Sequence, residues 1–150
     1  MEEIKTYEIE IGGRKIPLLY STYELIEIQK EIGCTGFQLK DEVFGLKQLD
    51  EDDPKSTVME VANDPARMEK LGKLIRIMGN AGLEHTGQEA DLKDKWILRN
   101  IKPAMILIYA VAIMGVILEG NRMESVEKEK DTEPVDEILE EENAKKQQGN

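Results

Sequence analysis

Few residues in this chain have the chemistry to act as nucleophile, base or metal ligand. One cysteine, Cys34, and one histidine, His85, stand 51 positions apart. A thiol and an imidazole brought together by a fold would make a nucleophile–base pair. Cys34, however, directly follows Gly33, which reads as a helix-ending glycine, and a small residue in that place is ordinary. A zinc site needs clustered Cys, His or carboxylates, and two such residues so far apart do not supply one. Asp50-Glu51-Asp52-Asp53 gathers four carboxylates. It lacks the alternating ligands, central glycine and terminal glutamate of a calcium loop, so a solvated loop ending at Pro54 is expected. Gly12-Gly13 is too short to cradle a phosphate, and no Lys-Ser/Thr follows it. None of the many carboxylates sits in an apolar context that would raise its pKa for acid–base work. These residues predict no catalytic, cofactor-binding or metal site, and a chain that is not an enzyme.

Charge narrows the partners. Over 150 residues, 31 acids and 20 bases leave a formal net charge of -11. Such a surface repels phosphate backbones, so nucleic acid is not an expected partner. It repels anionic lipid headgroups too. The single cysteine permits no internal disulfide, which suits a reducing, cytoplasmic setting. Met1-Glu2-Glu3-Ile4-Lys5 has no basic stretch followed by an apolar one, so no secretory signal is expected.

The elements expected to carry these residues read from the patterning. Tyr7, Ile9 and Ile11 alternate with Glu8 and Glu10, and Ile16, Leu18 and Tyr20 alternate on the return. With a two-residue turn at Gly12-Gly13, residues 6–20 form a hairpin pairing Ile11 with Arg14, Ile9 with Ile16 and Tyr7 with Leu18. Pro17 has no N–H and marks an edge there. Ser21-Thr22-Tyr23-Glu24 is a capping box, and Leu25, Ile28 and Ile32 continue at helical spacing up to Gly33. A short helix over 38–49 would carry Leu39, Val43 and Leu46, with Phe37 and Phe44 joining the core. Asp64-Pro65 opens a further helix as N-cap and first residue, with Met68, Leu71, Ile75 and Met78 as its apolar stripe. Gly79, Gly82 and Gly87 then interrupt the pattern. Residues 88–98 predict a shorter helix with Leu92, Trp96 and Ile97. The fold class is α+β, mainly α: an N-terminal β-hairpin followed by about five helices, with a disordered acidic C-terminal tail. Residues 1–120 form the globular part. Residues 121–150, with ten acids and five bases, form the tail.

The segment Pro103–Leu118 carries no charge over 16 residues. As a helix it spans about 24 Å, short of the roughly 20 residues that cross a bilayer. Lys95, Arg99 and Lys102 before it and Glu119 after it have the asymmetry of a membrane anchor, but a buried central helix is the better account. A helix apolar all round needs cover on every side. About a hundred residues of hairpin and short helices leave part of it bare, and bare apolar patches mark interfaces. Self-association through or near this helix is therefore expected. Met105, Ile106, Tyr109, Ile113 and Val116 are its candidate partner-binding residues. In the tail, Val135, Ile138 and Leu139 lie at i, i+3 and i+4, as the anchors of a helix that orders on binding.

Lys73-Leu74-Ile75-Arg76-Ile77-Met78-Gly79-Asn80-Ala81-Gly82-Leu83 and Asp91-Leu92-Lys93-Asp94-Lys95-Trp96-Ile97-Leu98-Arg99-Asn100-Ile101-Lys102-Pro103 are similar to segments of tail assembly chaperones from long-tailed phages and prophages of Gram-positive bacteria. So is the end: Glu119-Gly120-Asn121-Arg122-Met123-Glu124, an acidic spacer, then Pro134-Val135-Asp136 and Leu139-Glu140-Glu141. The likeness covers most of the chain in order and texture and holds no catalytic signature; residues 36–62 add little to it. It implies a non-catalytic protein of viral morphogenesis. Such a protein binds the tape measure protein, keeps it soluble and helps recruit tail tube protein. It works in the cytoplasm of the bacterial host and is absent from the mature virion. The alternatives are another structural or adaptor protein of a phage tail or mobile element, and a small membrane-associated protein.

Overall fold

A computed structural model describes residues 7–130. The chain divides into two units, residues 1–117 and 118–150. Two strands come first: β1 (Tyr7–Ile11) and β2 (Arg14–Leu18). They pair antiparallel in the expected register, Tyr7 with Leu18, Ile9 with Ile16 and Ile11 with Arg14. Gly12 and Gly13 have φ of 58° and 77°, the left-handed pair that a type I′ turn requires and that only glycine adopts without strain. Alternation buries Ile9, Ile11, Ile16 and Leu18.

The capping box forms as expected. The Ser21 hydroxyl accepts from the Tyr23 N–H, and the Glu24 carboxylate accepts from the Ser21 N–H at 2.9 Å. They open α1 (Thr22–Ile32), which Gly33 closes at φ 94°. The helix expected over 38–49 is in fact α2 (Gln38–Glu42) followed by a 3₁₀ turn at Leu46–Gln48. Gly45, at φ 61°, separates them, because a left-handed residue cannot continue an α-helix. Phe44 enters the core but Phe37 does not: it is 62% exposed, with the Lys40 ammonium 5.6 Å from its ring. Asp53 then caps α3 (Pro54–Ala62), accepting from the Ser56 N–H.

The longest described helix of the first unit is α4 (Pro65–His85). Its N-cap Asp64 accepts from the N–H groups of Ala66 and Arg67. β2, α1, α3 and α5 (Asp94–Asn100) all pack on α4, which buries Leu71, Leu74, Ile75, Met78 and Leu83 completely. Gly79 and Gly82 lie inside this helix and do not interrupt it. They thin it where other elements cross. A Cβ on Gly79 would stand 2.9 Å from Ile16 of β2, and one on Gly82 would stand 2.0 Å from the Pro17 carbonyl oxygen. The Leu19 N–H donates to the Met78 carbonyl at 3.1 Å. The edge that Pro17 marks is thereby covered by α4. Helix α5 begins at Asp94 and not at residue 88, and the Asn80 side chain pins the irregular chain before it at Leu92. That side chain accepts from the Leu92 N–H at 2.9 Å and donates to the Leu92 carbonyl.

Arg76 ties three helices together, donating to Glu31 of α1 and Asp94 of α5 from the middle of α4. Arg14 at the hairpin turn bridges to Asp91 at 2.9 Å. That hydrogen bond holds the Asp91 carboxyl below its ordinary value of 3.8. A depressed carboxyl contributes stability above its unfolded pKa, and loses it as pH falls through the lowered value. In an NMR titration the Asp91 carboxyl should therefore protonate at lower pH than an ordinary aspartate, and Arg14→Gln should raise its pKa.

A 3₁₀ turn at Pro103–Met105 leads into α6 (Ile106–Lys130). The uncharged segment is helical, and the helix runs on through Gly120 into the stretch expected to be tail. The rest of the expected tail, with Val135, Ile138 and Leu139, lies outside the described residues.

Candidate functional site

The residues with nucleophilic or ligating chemistry do not converge. Cys34 is buried after Gly33, beside an open pocket of about 290 Å³ lined by Gln38, Asp41, Glu42 and Lys70 among others. Burial raises its thiol above the ordinary value, with Lys70 opposing and Glu42 adding to the shift. His85 is exposed at the far end of α4. A helix rises about 1.5 Å per residue, so His85 stands roughly 20 Å along the axis from Lys70. A buried thiol of raised pKa has little thiolate to react with. Cys34 should be silent to a thiol-specific disulfide reagent in the folded chain and should react in full on denaturation.

The acidic run has a local use. Asp50 accepts from the Asp52 N–H at 2.9 Å, and Asp53 caps α3. Among the described residues no group of three His, Cys, Asp or Glu is placed to hold a metal ion.

What remains is an apolar surface on α6. Burial there repeats at helical spacing: Ile106, Tyr109, Ala110, Ile113, Met114, Val116 and Ile117 turn inward. The Tyr109 hydroxyl accepts from the Lys102 N–H at 3.4 Å, and burial raises its pKa. This corrects the expected contact set. Ile106, Tyr109, Ile113 and Val116 are covered by the chain's own hairpin and helices, and Met105 is half-buried. Four aliphatic or aromatic side chains on one helical stripe are drawn to the core first, because that is where water is excluded. The opposite stripe is bare. Ile108 and Val111, three positions apart on α6, are 54% and 75% exposed, and Ala104 of the preceding 3₁₀ turn is exposed too. Gly115, one turn on, adds no side chain, and a Cβ there would meet only the Tyr7 ring, 4.0 Å away.

The uncharged composition of residues 103–118 therefore conceals two faces, one buried and one exposed. Composition alone could not separate them, since every side is apolar. The spacing of large side chains does not separate them either: Ile106 and Ile113 are buried, while Ile108 and Leu118, of the same size, are exposed.

Among the described residues no single helix is long and apolar enough to cross a membrane. Helix α5 and the segment Pro103–Glu119 reach that length and apolarity only as a pair, bent by 93°. Compared with known protein families, curated proteins and solved structures, the chain has no significant match.

Proposed function

We propose that this chain is a non-catalytic tail assembly chaperone, a holdase for the apolar, helical tape measure protein of a long-tailed phage or prophage. The single observation that carries the reading is the bare stripe of α6, where Ile108 and Val111 face solvent on an otherwise strongly acidic chain. A holdase needs apolar surface for its client and charge to keep the complex in solution. Helical clients present apolar anchors at i, i+3, i+4 and i+7, a spacing that a helical stripe can match. The choice of client, the recruitment of tail tube protein and the location in the host cytoplasm come from the resemblance of residues 73–83 and 91–103 to that family.

Co-expression tests it. A tape measure protein from the same gene neighbourhood should move from the insoluble to the soluble fraction when this chain is present. Equal solubility with and without the chain would overturn the proposal. Mass spectrometry of finished particles separates it from the adaptor reading: a chaperone is missing from them, and a retained tail component is found.

A further inference from the structure

The hairpin has two edges, and they have different fates. In a two-residue hairpin the residues flanking the turn exchange hydrogen bonds, and alternate pairs thereafter do the same. Ile11–Arg14, Ile9–Ile16 and Tyr7–Leu18 are thus the bonded pairs. Glu10–Lys15 and Glu8–Pro17 are the non-bonded ones, whose N–H and C=O groups point away from the partner strand. On β2 that outward edge is blocked: Pro17 has no N–H, α4 lies against its carbonyl at Gly82, and the Leu19 N–H is taken by Met78. On β1 the outward groups belong to Glu8 and Glu10, both exposed. Among the described residues neither backbone has a hydrogen-bond partner beyond the hairpin.

From this we infer a second interaction surface, at which the outer edge of β1 accepts an extended segment of a partner protein with basic residues at alternate positions. An open edge offers a row of unpaired donors and acceptors to a third strand. Here the row comprises two N–H and two C=O groups. The side chains on the solvent face select the occupant. Residues of the added strand opposite Glu8 and Glu10 fall beside two carboxylates, and only Glu10 has a base, Lys15, across the ladder. Opposite charges in such cross-strand positions attract and like charges repel. The residue between them falls on the face of Tyr7, Ile9 and Ile11 and is apolar. The recognised pattern is basic–apolar–basic. A second copy of this chain does not fit: pairing β1 with β1 about Ile9 sets Glu8 against Glu10 in both directions. This surface is distinct from the α6 stripe and does not rest on the chaperone reading.

The full chain, labelled with ¹⁵N, can be titrated with the acetylated, amidated peptide Lys-Val-Lys-Val-Lys and with Glu-Val-Glu-Val-Glu. The Glu8 and Glu10 amides should exchange rapidly in the free chain. With the lysine peptide they should shift and gain at least tenfold protection, and the glutamate peptide should leave them unchanged. Glu8→Pro removes an edge donor that the hairpin does not use, just as Pro17 sits opposite it in β2. It should keep the native melting temperature and weaken the lysine peptide at least tenfold. Glu8→Gln with Glu10→Gln keeps the donors and removes the charge, and should weaken it three- to fivefold. Protection already present in the free chain, equal response to the two peptides, or full binding by a folded Glu8→Pro variant would each overturn the inference.

Discussion

Gly82→Ala should lower the stability of this protein by about 3 kcal/mol or more, although alanine is the better helix former. In an exposed helix interior the exchange would gain about 1 kcal/mol. At Gly82 the added methyl would stand 2.0 Å from the Pro17 carbonyl oxygen, 2.5 Å from its carbon and 3.1 Å from the Leu18 nitrogen. All three are backbone atoms, which cannot turn aside as a side chain does. Relief requires β2 and α4 to separate by about 1 Å, which breaks the Leu19–Met78 hydrogen bond and opens the packing over Ile16 and Leu18. Overpacking of a core costs about 1–3 kcal/mol when side chains can adjust, and here they are not the obstacle. For a domain of this size the loss corresponds to roughly 6–12 °C in melting temperature, read by circular dichroism. Two other α4 glycines calibrate it. Methyl groups at Gly72 and Gly79 meet only the side chains of Leu98, Leu92 and Ile16, so those variants should lose about 1 kcal/mol. Gly115→Ala, facing open space, should melt higher than the parent. A Gly82→Ala variant with parental stability would mean that β2 does not cross α4 at this point.

The second large effect separates the two faces of α6. Ile113→Asp places a carboxylate where the native side chain is fully buried. That position lies within the hydrophobic core cluster, and a charge buried among apolar side chains costs several kcal/mol even after its pKa adjusts. The variant should be largely unfolded at neutral pH. Val111→Asp, two positions away and 75% exposed, should stay within about 0.5 kcal/mol of the parent. If the α6 stripe holds a client, Val111→Asp with Ile108→Asp gives a folded protein that no longer keeps a tape measure protein soluble. Unfolding by Val111→Asp, or tolerance of Ile113→Asp, would reverse the assignment of the faces.

Much of the fold is legible where a local rule and the tertiary demand agree. The Gly12-Gly13 turn fixes the register of the hairpin, and the Ser21–Glu24 box and the Asp64-Pro65 pair fix two helix starts. Helix α3 escapes notice although Asp53-Pro54 is the same signal as Asp64-Pro65. The run of acids before it reads as loop, and the short sequence after it lacks a broad apolar stripe. Gly79 and Gly82 mislead for another reason. Glycine breaks a helix by propensity, but here close approach by β2 and by Leu92 outweighs propensity, and no local pattern announces a crossing. At the candidate surface, apolar character was visible and its orientation was not. Which side of an all-apolar helix is covered depends on elements up to a hundred residues away.

The crossing of β2 over α4 also sets an order of events during synthesis. An isolated two-stranded hairpin is marginal in water. The hairpin here finds its support in α4, whose Gly82 lies 64 residues after Leu18. At roughly 5–20 residues per second, the ribosome delivers that support about 3–13 s after the strands themselves. For that interval Ile9, Ile11, Ile16 and Leu18 are without their native cover. The nascent chain thus passes through a stage in which the apolar face of its first element has nothing to pack against.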